Sequence, residues 1–263
     1  MDQHAKFNNQ STYSLHQRTI FKPLGSEPHM SSPFISIIIP AYNEENYIRQ
    51  TLHSLQLQTY QHFETIIVAN GCTDQTEEIV RKRENEKLKL ISLPTAHVSI
   101  ARNQGAAHAV GEILLFLDAD TTLEQDALKK IITTITTKTN NHQNKHTYGT
   151  TKTAGDNSEL KFKALLTFKN IYLTTGLHQG SSGAFYCTKE IFNQVGKYNE
   201  KLTTAEHHEL IGRLKPHASY LFTPTTATTS LRRYREWGVK KIAIFWLKRY
   251  MKRNKEHSYE HIK

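Results

Sequence analysis

The stretch Glu112-Ile113-Leu114-Leu115-Phe116-Leu117-Asp118-Ala119-Asp120 runs from an apolar segment directly into two aspartates. A short, continuous apolar segment that ends in a polar turn is typical of a strand buried on both faces of a parallel sheet. Both carboxylates therefore leave the end of a buried strand. Mg²⁺ and Mn²⁺ bind carboxylate and phosphate oxygens together, so Asp118 and Asp120 are candidate metal ligands beside a diphosphate. By itself, the aspartate pair also fits a solvated turn without a metal. The rest of the sequence decides between a metal site and such a turn.

Strands and helices alternate through the first half of the chain. Apolar runs predict strands, and the amphipathic segments between them predict helices. This order predicts an α/β fold in which helices cover both faces of a mostly parallel sheet. The predicted strands are 35–39, 63–69, 88–93 and 113–117, and the predicted helices are 45–58, 74–84, 98–110 and 123–136.

The second half is less regular. A polar, irregular stretch follows Lys138, and an amphipathic helix is predicted at 159–175. Further on we expect an extended segment at 184–187, helices at 188–196 and 206–214, short strands at 219–222 and 226–230, and a basic amphipathic helix from 234 onward. We expect three regions: a flexible arm at 1–33, one domain at 34–230, and the C-terminal basic helix at 231–263.

Composition narrows the classes of protein that fit. The chain has 263 residues and a formal net charge of +10, which favours an anionic partner such as phosphate, nucleic acid or an acidic membrane surface. No apolar run approaches the roughly 20 residues of a membrane span, and the polar start does not resemble a secretory signal. Two distant cysteines do not form a disulfide framework. We therefore expect a cytoplasmic protein.

Polar, motif-like loops follow the predicted strands, where open α/β sheets bind their ligands. The loops lack the glycine-rich phosphate motifs GxxxxGK[ST] and GxGxxG, which argues against P-loop enzymes and dinucleotide-binding dehydrogenases. They are Pro40-Ala41-Tyr42-Asn43-Glu44, Asn70-Gly71-Cys72-Thr73-Asp74, Ala101-Arg102-Asn103 and Asp118-Ala119-Asp120.

Together these stretches resemble the family 2 glycosyltransferases, which have the GT-A fold. The resemblance covers about 36–210 and rests on 36–45, 67–76, 101–105 and 117–120. It implies that 34–122 binds the nucleotide and metal, and that 123–230 binds the acceptor and carries the base. It further implies a single, inverting transfer of a sugar from a nucleotide-diphosphate donor, with Mg²⁺ or Mn²⁺ as cofactor.

The resemblance also assigns residues to the donor site. The nucleoside would contact Pro40, Tyr42 and Glu44 in the first loop, which also contains Ala41 and Asn43, and the base would meet Asn70. Arg102 and Asn103 would line the same cleft, Asp118 would lie beside the diphosphate, and Asp118 and Asp120 would bind the metal. The family commonly has an acid at the positions of Ala69 and Asn70. Because an amide both donates and accepts, UDP is favoured only moderately over GDP.

The family's catalytic base usually lies in an acidic pair at the start of a helix in the acceptor half. The matching segment here is 205–210, where Glu206 is followed by His207 in place of the second acid. We place His207 ahead of Glu206 because it occupies the matching position and a neutral imidazole accepts a proton at pH 7. A partly exposed helix face without catalytic function is the alternative. A zinc site is disfavoured because adjacent histidines diverge by about 100° on a helix.

Two basic features follow the last predicted strand. Arg232 or Arg233 could bind the departing diphosphate, and a solvent-facing basic turn is an equal alternative. The terminal helix could lie on the anionic inner face of the membrane, which would place the enzyme beside a lipid-linked acceptor. Packing of this helix onto the catalytic domain is the favoured alternative. The acceptor is not identified; a lipid-linked or cell-surface glycan precursor fits. The Gln-x-x-Arg-Trp motif of processive relatives is missing, which disfavours polysaccharide synthesis.

Two other classes stay open as alternatives. A metal-dependent nucleotidyltransferase would also use paired carboxylates, but typically with a glycine- and lysine-rich loop that the first strand lacks. A non-catalytic RNA-binding protein would use the positive charge. It would need exposed aromatic residues among the basic ones, and the aromatic residues here lie mostly in apolar runs, so no nucleic acid is expected as partner.

Overall fold

The computed structural model describes residues 33–141, 145–156, 159–176, 183–232, 235–238, 241 and 244. Residues 1–32 of the predicted arm and most of the predicted terminal helix lie outside this range. The division of the domain into a nucleotide half and an acceptor half stays a prediction. In the described part of the chain, no helix has the length and apolarity needed to span a bilayer.

A mixed sheet of eight strands forms the centre of the described fold, with the order β3-β2-β1-β4-β7-β6-β8-β5. Strand β1 is parallel to β2 and β4, and β2 is parallel to β3; β6 and β8 are also parallel. Strand β7 is antiparallel to β4 and β6, and β5 is antiparallel to β8. The predicted α/β class with a mostly parallel sheet is confirmed. The strands are β1 (Ile35–Ala41), β2 (Phe63–Asn70), β3 (Leu88–Leu93), β4 (Ile113–Leu117), β5 (Thr121–Leu123), β6 (Thr147–Gly155), β7 (Ala184–Thr188) and β8 (Ser219–Thr229).

Helices cover the sheet on both faces because its strand residues alternate between two apolar clusters. Ile37 and Leu115 face one cluster, which includes buried residues of α1 and α4. Ile38 and Phe116 face the other, which includes residues of α3, α6 and α7. The helices are α1 (Ile48–Gln56), α2 (Thr76–Arg81), α3 (Val98–His108), α4 (Ala127–Asn141), α5 (Leu160–Thr174), α6 (Lys189–Gln194) and α7 (Glu206–Leu214).

Strand β6 contradicts the expectation of an irregular stretch after Lys138. Its sequence is polar, yet Thr147, Thr150, Thr151 and Thr153 are buried. Threonine is β-branched and fits a pleated sheet, and its hydroxyl can be satisfied internally; that of Thr150 donates to the carbonyl of Ala184 at 2.9 Å. A buried strand made of threonines does not show the apolar pattern that predicts strands.

Strand β8 is continuous where two short strands were predicted. Thr151 pairs with Thr223 but Lys152 pairs with Thr226, so a bulge contains Pro224 and Thr225. Proline has no N–H for the ladder and is tolerated at bulges. Helices α1, α2 and α4 begin two to four residues later than predicted, at Ile48, Thr76 and Ala127; before α4, Leu123 pairs as part of β5.

Gly149 permits the close packing of β6 against its two neighbours. A Cβ at this position would overlap the carbonyl oxygen of Leu221 and the phenol of Tyr186. We expect Gly149→Ala to lower the free energy of unfolding by about 1–3 kcal/mol through overpacking. The measurement is urea unfolding of the wild type and the variant.

Gly212→Ala is the matched control, since nothing lies within 4 Å of a Cβ at Gly212, which is inside helix α7. Removing a helical glycine there should raise stability by about 0.5–1 kcal/mol. Equal effects of the two substitutions would contradict the role given to Gly149.

Candidate active site

Two of the predicted nucleotide loops are bonded to each other at the carboxyl ends of β1 and β2. The backbone N–H of Thr73 donates to Asn43 Oδ1 at 2.8 Å, and Asn43 adopts a left-handed backbone with φ 54°. The Asp74 carboxylate accepts the N–H groups of Glu45 and Thr76 at 3.1 and 2.9 Å. The structure therefore brings the loops after β1 and β2 into one rim.

The Asp-x-Asp segment forms a turn between β4 and β5. The Asp118 N–H donates to the carbonyl of Gly183, and the Thr121 N–H donates to the carbonyl of Asp118, both at 3.0 Å. The Asp118 side chain is 44% exposed and that of Asp120 is 12% exposed. Asp120 also accepts the Thr229 hydroxyl at 3.3 Å. The two carboxylates thus differ: Asp118 is open to solvent, and Asp120 is held against β8.

Arg102 joins Asp118 to the start of helix α7. Its guanidinium donates to Asp118 at 3.1 Å and to Glu206 at 2.7 Å, and it lies over the Tyr198 ring at 5.5 Å. The side chain is buried. Burial alone would lower the pKa of Arg102, but the charges of Glu206 and Asp118 outweigh it and raise the pKa. Burial likewise raises the pKa of Glu206, yet the Arg102 charge lowers it below its usual value.

Arg232 makes a second link, between the first loop and the Asp-x-Asp segment. Its guanidinium is ion-paired with Glu44, lies 3.6 Å from Asp120, and stacks 4.8 Å above the Tyr47 ring. The chain on either side is anchored: Leu231 packs on Phe162 and Leu166, and Arg235 pairs with Asp156 at 2.9 and 3.0 Å. The Arg233 side chain lies outside the described part of the structure.

His207 lies in an aromatic environment next to Glu206. Its Nδ1 is 2.9 Å from the Tyr198 hydroxyl, and its ring contacts those of Phe185 and Tyr198. Burial, reinforced by the positive charge of Arg102, lowers the pKa of His207 to about 3. The imidazole is therefore neutral at physiological pH, as predicted for a base, but it binds a proton far more weakly than an ordinary histidine.

The remaining predicted site residues make other contacts. Pro40 and Ala41 are the last residues of β1, and Tyr42 is exposed beyond them. Asn70 Oδ1 accepts the N–H of His97 at 2.7 Å, so this amide orients the segment before α3. Asn103 bonds to both backbone groups of Tyr198 and to Glu200, so it supports the 198–200 loop.

Comparisons with known proteins agree with this geometry. The family model described as glycosyl transferase family 2 matches residues 36–196, more than half of the chain. The chain belongs to glycosyltransferase family 2. The matched segment contains both loops, Arg102 and the Asp-x-Asp pair, whereas Glu206 and Arg232 lie beyond it.

Among its relatives are an uncharacterized glycosyltransferase of Haemophilus influenzae, 38% identical over 104 residues, and the putative teichuronic acid biosynthesis glycosyltransferase TuaG of Bacillus subtilis, 36% identical over 101 residues. The matches cover 38% and 37% of this chain and 42% and 40% of those proteins. The chain thus matches less than half the length of either relative. The crystal structure of S. aureus TarS 1–349 in complex with UDP-GlcNAc is 25% identical, with a TM-score of 0.58 over 76% of this chain and 59% of that one.

The residues at the Asp-x-Asp turn fit a divalent cation of the kind that GT-A enzymes use. Both candidate ligands are carboxylates, the donors that Mg²⁺ and Mn²⁺ prefer. Over the described ranges, no cluster of three or more His, Cys, Asp or Glu side chains could hold a metal by itself. A cation at this turn would have these two carboxylates as protein ligands and would take further ligands from phosphate oxygens and water.

Three contributors to this family 2 site were not predicted from the sequence. Tyr198 and Tyr47 lie under the two arginines. Lys169, on α5, interacts electrostatically with Asp118; burial lowers the pKa of Lys169 to about 8, although the Asp118 charge opposes this shift. Lysines are common on amphipathic helices, so no signal in the sequence distinguishes this one.

The depressed pKa of His207 predicts a pH dependence of stability. The unfolded chain binds a proton at an ordinary histidine pKa of about 6.5, while the folded chain binds it at about 3. This contribution is therefore fully present above pH ~6.5 and is lost as pH falls towards ~3. Between pH ~6.5 and ~5 we expect His207 to account for a loss of about 1–2 kcal/mol.

Urea unfolding at several pH values, with wild type and His207→Gln, measures this loss. The variant should be less stable at pH 8 because ring packing is lost, but its stability should change less between pH 6.5 and 5. Parallel pH profiles would show that His207 titrates normally in the folded protein.

Proposed function

We propose that this chain is a glycosyltransferase that moves a single sugar, with inversion, from a UDP-sugar to an acceptor hydroxyl with the help of Mg²⁺ or Mn²⁺. The main observation in support of this proposal is that two arginines connect the carboxylates that the reaction needs. Arg102 binds Asp118 and Glu206, and Arg232 binds Glu44 and lies near Asp120. The UDP-GlcNAc complex of the structural neighbour TarS supports a uridine donor.

The donor would lie across the rim formed by the two nucleotide loops. The segments 40–44 and 70–74 would hold the nucleoside, and Asp118 and Asp120 would hold the cation that shares the diphosphate. A bound divalent cation supplies charge stabilisation for the departing diphosphate. Arg232 is already within reach of Asp120 and would move its guanidinium onto phosphate oxygens, where a fork of N–H donors binds well.

Glu206 is the better candidate for the base, ahead of His207. In the transfer, the acceptor oxygen bonds to the anomeric carbon as the bond from that carbon to the phosphate oxygen breaks, and the acceptor proton passes to the base. Glu206 stays ionised despite its burial because the Arg102 charge offsets the effect of burial on its pKa, and its carboxylate belongs to the same ion-pair network as Asp118. The Nδ1 atom of His207 is already bonded to the Tyr198 hydroxyl. His207 would therefore position the Tyr198 ring under Arg102.

A cell-surface glycan precursor is the acceptor class we propose, with the reaction on the cytoplasmic side of the membrane. The name of the relative TuaG refers to teichuronic acid biosynthesis, which supports an acceptor of this class.

Substituting the two candidate bases separates their roles. Glu206→Gln should lower kcat by about 10²–10⁴ because proton transfer is lost, with little change in UDP affinity. His207→Gln should lower kcat far less, since an amide can still bond to Tyr198. The measurements are initial rates of sugar transfer or donor hydrolysis and calorimetric UDP binding. A larger loss of kcat in His207→Gln than in Glu206→Gln would assign the base to His207.

The cation proposal is tested by UDP binding with and without Mn²⁺. In Asp120→Asn, we expect Mn²⁺ to lose most of its effect, with Kd for UDP raised about tenfold or more, because one of two carboxylate ligands is gone. Asp126→Asn is the matched control: Asp126 pairs with Lys130 at the start of α4, outside the segments 40–44 and 70–74. Mn²⁺-dependent binding that survives in Asp120→Asn would refute the assignment of Asp120 as ligand.

A further inference from the structure

Helix α5 exposes large apolar side chains to solvent. Leu160, Phe168 and Ile171 are 83%, 69% and 58% exposed, and they account for three of the seven large exposed hydrophobic residues in the described part of the chain. Single exposed apolar residues are ordinary on protein surfaces, whereas several on one element indicate a contact surface.

These residues form one stripe. At about 100° per residue, Leu160, Ala164, Phe168 and Ile171 fall within an arc of about 80° along the helix. The opposite side carries the buried Phe162, Leu166 and Leu173. Helix α5 is therefore apolar on two opposite faces, which differs from the predicted amphipathic helix with one apolar face.

The buried face is fixed in place, so the helix cannot rotate to hide the stripe. Asn170 bonds to both the N–H and the carbonyl of Thr153 on β6 at 2.9 Å. The Tyr220 hydroxyl donates to the carbonyl of Leu173 at 3.2 Å, and Leu231 packs on the N-terminal half of the helix. These contacts come from three parts of the chain: β6, β8 and the segment at Leu231.

Lysines border the stripe on both sides. From Leu160, Lys161 is about 100° around the helix in one direction and Lys163 about 60° in the other. No acidic residue occurs between 160 and 174. Lys161 pairs with Glu159 at 2.7 Å, but both side chains are solvent-exposed, and such pairs contribute little. Lysine stems can lie along apolar surface while their ammonium groups reach phosphate.

We propose that the exposed stripe of α5, Leu160, Phe168 and Ile171 with Lys161 and Lys163 at its edges, docks onto an anionic lipid bilayer. A helix that lies in a membrane interface has this arrangement of apolar stripe and basic edges. Protein–protein interfaces contain less lysine than the rest of a protein surface, so lysines beside the stripe favour a lipid partner. The net charge of +10 adds attraction to an acidic leaflet.

Docking through α5 would place the candidate active site close to the membrane. Lys169 is on the inner side of the same helix and interacts with Asp118. An acceptor held in the bilayer by a lipid would then reach the cleft without leaving the membrane. The docking itself does not depend on the proposed sugar transfer, so binding and activity can be tested separately.

Vesicle flotation of the full chain tests the proposal, with vesicles of phosphatidylcholine and phosphatidylglycerol in equal amounts and with pure phosphatidylcholine. The wild type should float with the mixed vesicles and much less with the neutral ones. Leu160→Ser/Phe168→Ser/Ile171→Ser should lower the bound fraction about tenfold or more, since the stripe supplies the apolar contact. The matched control is Leu57→Ser/Val110→Ser, which removes exposed apolar residues elsewhere and should bind as the wild type does.

A second pair of variants tests the charges. Lys161→Glu/Lys163→Glu should also reduce binding to the mixed vesicles, and Lys129→Glu/Lys138→Glu, a charge-matched change on α4, should reduce it less. Thermal unfolding checks that each variant folds. The proposal is overturned if the wild type does not float, if the α5 variants float as well as the wild type, or if light scattering shows a dimer that only the serine variant dissociates.

Discussion

The buried ion pair of Arg102 with Asp118 and Glu206 is the constraint on which the rest of the cleft depends. A charge removed from water is tolerated only when partners compensate it, and here a single guanidinium has two carboxylates and an aromatic ring. The interaction ties the carboxyl end of β4 to the start of α7. Because the guanidinium is buried, removing Glu206 or Asp118 would leave its charge less compensated, so the two ion pairs stabilise one arrangement of the three side chains.

Arg232 complements this arrangement from the other side. It neutralises Glu44, lies near Asp120, and is presented by a segment anchored through Leu231 and Arg235. Each aspartate of the Asp-x-Asp turn thus has its own arginine. In the proposed reaction, arginines that already face the cleft would provide electrostatic preorganisation for a diphosphate leaving group.

The sequence predicted the first four parallel strands and the position of Asp118 and Asp120 because apolar runs and the turns after them are local signals. It did not predict β6, whose buried residues are threonines, or the sheet order beyond β4, which is set by pairing between distant segments. Arg102 was expected to line the nucleotide cleft. Its bond to Glu206 joins residues 104 positions apart, and only the folded backbone determines which way each side chain faces.

The chemical environment of His207 also could not be predicted from the sequence. An ordinary histidine is a good base at neutral pH, and the sequence contains no sign that Phe185 and Tyr198 would surround this one. The backbone just before His207 concerns Glu206, the other candidate base. Ala205 adopts a left-handed conformation, φ 64°, immediately before Glu206, at a cost of about 1 kcal/mol for a residue with a Cβ. Such strain persists where surrounding contacts require it. Directly after this residue, the Glu206 carboxylate accepts the Arg102 guanidinium at 2.7 Å, so the strained position lies at the first turn of α7, where the candidate base is held.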